Sequence, residues 1–135
     1  MRYAFGCDHG GFVLKEPLIE ELVARGHEVH DMGTDSPARV DFPVYANKVA
    51  QAVADGSADM GVLVCGTGLG MALAANRYPG VRAVPVSESY SARMARRHND
   101  ANILCLGGRV LGPDAAVDIL RGWLEESFEG GKYAE

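Results

Sequence analysis

Met60-Gly61-Val62-Leu63-Val64-Cys65-Gly66-Thr67-Gly68-Leu69-Gly70 is the stretch on which the fold turns. Met60 to Val64 is a short apolar run of the kind that makes a buried strand. Gly66, Gly68 and Gly70 follow at once, a turn in which backbone can approach a ligand closely. A helical segment through Ala72, Ala75 and Asn76 comes next, until Pro79-Gly80 breaks it. Strand, glycine turn and helix in that order form one βα unit, and chains of such units build a parallel sheet covered by helices.

The same rhythm extends in both directions. Arg2 to Cys7 reads as the first strand, closed by Asp8-His9-Gly10-Gly11. A helix then runs to about Arg25, with Leu14, Leu18, Leu22 and Val23 on one face, Pro17 in its first turn and Gly26 as its stop. His27 to Met32 is a short second strand, and Gly33 to Val40 a polar loop. Pro43 opens a helix carrying Ala46, Val49, Ala50 and Val53 that ends at Gly56. Beyond the central unit come a strand over Val81 to Val86, a helix over Ser87 to His98, and a strand over Ile103 to Leu106. A last helix spans Pro113 to about Phe128. These units predict a single domain over 1–135 with a tail from about 129. Its architecture is a Rossmann-like three-layer α/β/α sandwich on a five-stranded parallel sheet in the order 2-1-3-5-4. Ligands bind such sheets outside the carboxyl ends of the strands. That directs attention to Asp8-His9, Cys65 to Gly70, Ser87-Glu88 and Gly107-Gly108-Arg109.

Composition narrows the function. With 47% hydrophobic and 23% charged residues, the chain can bury a core. A net charge of −5 without a basic block argues against nucleic acid as a partner. No run approaches the roughly 20 apolar residues of a membrane helix, and Arg2-Tyr3-Ala4-Phe5 opens a strand without a signal-peptide pattern. Cys7, Cys65 and Cys105 are scattered in apolar segments, neither a disulfide framework nor a zinc pattern. The expectation is a cytoplasmic protein that needs no metal.

The central turn holds a phosphate or stabilises a developing oxyanion. It lacks the lysine of a P-loop. Gly66, Gly68 and Gly70 do not fit G-x-G-x-x-G, because Met71 stands at the third place; Glu88 at the spacing of a ribose-binding acid keeps a dinucleotide reading open. Cys65 has two readings, a small core hydrophobe or a thiol beside a helix start able to act as a general base. His98 caps the fourth helix or does chemistry, while His9 stands at the edge of the site. Arg109 and Lys132 are phosphate ligands or solvated charges. His27 and His30 face opposite sides of a strand, which does not make a metal pair.

Taken together, Phe5-Gly6-Cys7-Asp8-His9-Gly10, Cys65 to Gly70, Ala74-Ala75-Asn76-Arg77, Pro79-Gly80-Val81-Arg82-Ala83 and His98-Asn99-Asp100-Ala101-Asn102 resemble ribose-5-phosphate isomerase B. The wider family includes galactose-6-phosphate isomerase subunits, and the resemblance spans essentially the whole chain. It implies an aldose–ketose isomerase of the pentose phosphate pathway, without cofactor or metal, acting on a sugar phosphate. It further implies Cys65 as the base between C2 and C1 and His98 as the group that opens the furanose ring. Thr67 and the amides of Gly66, Gly68, Leu69 and Gly70 would hold the enediolate oxygen, with Asn99 and Asp8 on sugar oxygens. His9, Arg109 and Lys132 would surround the phosphate. Family members are homodimers or dimers of dimers, so the resemblance places Cys65 and His98 in one pocket from different chains.

Some members carry a base one residue after the second glycine of the turn; Leu69 stands there, leaving Cys65. Lys132 replaces the first of two tail arginines, the chain ends at Glu135 before the second, and Phe42 stands where relatives often have tyrosine. These departures admit galactose 6-phosphate, allose 6-phosphate or a tetrose phosphate as substrate. A non-catalytic sugar-phosphate binder is the other alternative.

Overall fold

The computed structural model describes residues 1–134. Five strands alternate with five helices: β1 Arg2–Cys7, α1 Lys15–Ala24, β2 Glu28–Asp31, α2 Phe42–Ala54, β3 Met60–Cys65, α3 Leu69–Ala75, β4 Ala83–Pro85, α4 Ser89–Asn99, β5 Ile103–Gly107 and α5 Pro113–Leu124. All strand pairs are parallel and the order is β2-β1-β3-β5-β4, as the sequence predicts. The inner strands β1, β3 and β5 are apolar throughout their buried lengths because helices cover both faces.

Side-chain alternation divides the core into two layers. Tyr3, Phe5, Val62, Val64, Leu104 and Leu106 meet Leu14, Leu18 and Leu22, together with Ile119, Leu120 and Trp123 of α5. Ala4, Leu63, Cys65, Ile103 and Cys105 face the opposite way, onto Ala46, Val49 and Ala50 of α2 and Met71, Ala72 and Ala75 of α3. Cys65 therefore belongs to the α2/α3 side. In the first layer, the buried Trp123 indole donates to the Tyr3 hydroxyl at 3.0 Å, so this large ring enters the core without an orphaned N–H.

Several boundaries differ from the sequence reading. The fourth strand is only three residues, not Val81 to Val86. It lies at the sheet edge, where Pro85 has no amide to donate. The second strand loses His27 and Met32; its charged residues Glu28 and Asp31 are exposed on the other edge. Val23 is 57% exposed, a turn position away from the leucine stripe that meets the sheet. The fourth helix starts at Ser89 because the Glu88 carboxylate caps it, accepting the Ser91 N–H at 2.8 Å. The last helix stops at Leu124, where Glu125 and Glu126 reach back to Arg93.

Candidate active site

Parallel pairing puts the ends of the three inner strands side by side: Cys7 opposite Val64, and Cys65 opposite Gly107. The loops that leave them are knitted together through backbone. Asp8 N–H donates to the Val64 carbonyl at 3.2 Å, Gly108 N–H to Cys65 at 2.7 Å, and Arg109 N–H to Gly66 at 3.0 Å. Asp8 is 6% exposed, and its Oδ1 accepts the amides of Gly10 and Gly11 at 2.8 and 3.1 Å. That carboxylate braces the first loop, and only its other oxygen remains for a ligand.

The central turn is shaped by Gly68, whose φ of +84° lies in the left-handed region that glycine adopts freely. This conformation aims the Gly68 N–H at the Cys65 sulfur, 3.1 Å away. Leu69 N–H turns back to the Thr67 hydroxyl at 3.3 Å. The helix behind the turn has seven residues, short enough that its dipole adds little to the local field of the individual amides. Cys65 itself is 6% exposed. Burial pushes the Cys7 thiol up to about 11 and the Cys105 thiol higher still, which keeps both protonated and inert at neutral pH. Of the three cysteines, Cys65 is the one whose sulfur meets the glycine turn.

Two side chains frame the turn. Arg109 lies on one side of Gly66, its Cδ at van der Waals distance (3.4 Å) from where a Cβ would stand. Phe42 lies against Gly70, its ring 3.0 Å from where a Cβ on that glycine would stand. A groove beside Phe42 is lined by Asp8, His9, Arg39, Val40 and Asp41. His9 Nδ1 accepts the Val40 N–H at 3.2 Å. Asp8, His9, Cys65, Gly66, Thr67, Gly68, Leu69, Gly70 and Arg109 thus converge on one edge of the sheet.

His98, Asn99 and Lys132 do not join them. A helix that follows a parallel strand runs back toward the start of the next one. His98 and Asn99 end α4, and three residues later the Asn102 carbonyl accepts Gly61 N–H at the beginning of β3. The rise of a strand puts His98 roughly 15 Å from Cys65 within one chain. There the imidazole stacks on Tyr133 at 4.1 Å and 12°, with Nε2 3.9 Å from Glu129. The Lys132 ammonium sits 5.1 Å over the same tyrosine. Sequence reasoning missed Arg39 and the Val40 amide. The loop read only as polar, and nothing local indicates that it folds back on a histidine 31 residues earlier.

A doubly wound parallel sheet with a thiol, a glycine turn and cations at its carboxyl edge defines an α/β protein built to hold a small anionic substrate. A family model described as Ribose/Galactose Isomerase matches residues 3–135, and the chain belongs to that family. It is 51% identical over 134 residues to ribose-5-phosphate isomerase B of Escherichia coli, covering 99% of this chain and 90% of that one. Among solved structures, it is similar to ribose-5-phosphate isomerase B of Clostridium thermocellum, with TM-score 0.96, 51% identity, and coverage of 99% and 90%. It also resembles the Mycoplasma genitalium ribose-5-phosphate isomerase B with bound ribulose-5-phosphate, with TM-score 0.94, 36% identity, and coverage of 98% and 89%.

Proposed function

We propose that this chain interconverts ribose 5-phosphate and ribulose 5-phosphate by proton transfer through an enediolate. Full-length similarity to enzymes of that name supports the reaction. The observation that carries the chemistry is the Cys65 sulfur beside the Gly68 amide and Thr67 at the carboxyl end of β3. In this reading Cys65 takes the proton from C2 of the open-chain aldose. An enediolate forms across C1 and C2 with its charge on O1. The same sulfur returns the proton to C1, and the O2 hydroxyl proton passes to O1, leaving the carbonyl at C2. Thr67 and those amides of the Gly66 to Gly70 turn that are not engaged with Cys65 and Thr67 hold the oxygen that gains charge. The free oxygen of Asp8 meets sugar hydroxyls, while His9 and Arg109 hold the phosphate. That phosphate supplies binding energy remote from the reacting carbons.

Ring opening is assigned to His98, with Asn99 on a sugar oxygen and Lys132 near the phosphate. All three belong to a second copy, because within one chain they stand at the opposite end of the sheet. The working unit is then a homodimer, or a pair of dimers, whose pockets are shared. Exposed apolar side chains support such a contact. Leu73 is 74% exposed, Leu69 57% and Val44 48%, around a groove lined by Phe42, Pro43, Gly70 and Ala74 beside the site.

Cys65→Ala tests the mechanism. Turnover of ribose 5-phosphate should fall by roughly 10²–10⁴-fold, the usual contribution of a general base, with sugar-phosphate binding by calorimetry largely kept. Wild-type turnover in that variant would remove Cys65 from the mechanism. A panel of four-, five- and six-carbon aldose phosphates tests the substrate, and the account fails if no five-carbon phosphate turns over.

A further inference from the structure

Arginines 2, 25, 82, 93, 96, 97 and 121 each pair with a carboxylate. Among the described residues, Arg39, Arg77 and Arg109 have no such partner. Arg109 lies against the glycine turn, and Arg39 lines the groove that also contains His9. Nothing in the reaction as written above uses Arg39.

The loop that carries Arg39 is tied at both ends. Near its start, Lys15 Nζ donates to the Thr34 carbonyl at 2.7 Å and pairs with Asp31 at 2.7 Å and Asp35 at 3.5 Å. At its far end, Val40 N–H donates to His9 Nδ1 at 3.2 Å. An amide nitrogen can only donate, so Nδ1 is the acceptor and the neutral imidazole carries its proton on Nε2. The same bond holds residue 39 beside the histidine.

Charge in the groove gives Arg39 its importance. Asp8 and Asp41 line the same groove, and a phosphate monoester entering there meets two carboxylates. An anion is held at that place only if a cation offsets them, and Arg39 is the one arginine or lysine in the lining. A guanidinium also matches two phosphate oxygens at once.

The geometry points to Arg39 as a phosphate-binding residue supplied by the same chain as Cys65. Its guanidinium and the Nε2–H of His9 grip the substrate phosphate, and the Val40–His9 hydrogen bond presents both. This rests on the sugar-phosphate reading and adds a substrate-holding residue to it.

The test combines steady-state kinetics with calorimetry on the purified full chain. Arg39→Ala should raise KM for ribose 5-phosphate about tenfold or more while kcat stays within about twofold, the pattern of lost uniform binding. The dissociation constant of inorganic phosphate should rise by a similar factor, and Arg39→Lys should recover part of both. Unchanged KM and unchanged phosphate affinity in Arg39→Ala would overturn the proposal, as would a fall in kcat at constant KM. Calorimetry with inorganic phosphate reads Arg39 without turnover, so loss of the ribose 5-phosphate assignment would leave this outcome separately measurable.

Discussion

At the scale of single residues, Gly68 does the most with the least. Its positive φ places its own amide on the Cys65 sulfur, and a Cβ there would stand 3.2–3.3 Å from the backbone of Cys105 and Leu106. Gly68→Ala therefore combines left-handed strain with a contact that backbone cannot relieve by rotating a side chain. We expect a loss of about 1–3 kcal/mol of stability in chemical denaturation and a fall in kcat larger than the change in KM. Unchanged stability and kcat would mean that the turn does not depend on this conformation. Cys65 and Gly68 were both visible in the sequence as unusual residues after an apolar strand. Their hydrogen bond was not, because it depends on one dihedral angle. The family resemblance puts the amides of Gly66, Gly68, Leu69 and Gly70 together on the enediolate oxygen. The structure has two of them engaged within the turn, on Cys65 and Thr67.

At the scale of elements, the alternation of strand and helix was legible throughout because inner strands covered on both faces read as continuous apolar runs. Edge strands were the weak point: β4 is cut short by Pro85 and by its single neighbour, a consequence of sheet order that no local window contains. The loop from Gly33 to Val40 reads as polar in the sequence, yet its course is set by tethers to Lys15 and His9 on other elements. Helix α3 shows what an element can leave unfinished. Its inner face, Met71, Ala72 and Ala75, is buried, but Leu73 and Leu69 stand out in solvent beside the glycine turn. If a second copy covers them, Leu73→Glu should move the protein toward monomer in sedimentation velocity and lower activity in parallel. Such a change leaves the core of the chain untouched, so its melting should stay cooperative. A dimer unaffected by that substitution would place the interface elsewhere.

At the scale of the whole molecule, one topological rule organises the account. In a parallel sheet the turns after the strands gather at one edge, and the ends of the returning helices gather at the other. Cys65 lies at the first edge and His98 at the second, so neither residue reaches the other within a chain. The separation follows from position alone, since His98 ends a helix and Cys65 ends a strand. What a single sequence does not contain is how a second copy would close the distance, as the proposed shared pocket requires.

That claim can be measured by pairing two dead enzymes. Cys65→Ala and His98→Ala, each inactive alone, are co-expressed with different tags or refolded together, and isomerase activity is assayed on the mixture. If each pocket takes its thiol from one copy and its histidine from the other, half of the dimers are mixed. Each mixed dimer carries one intact pocket, so activity should return to roughly a quarter of wild type. A mixture that forms mixed dimers yet stays as inactive as its parents would contradict the shared pocket.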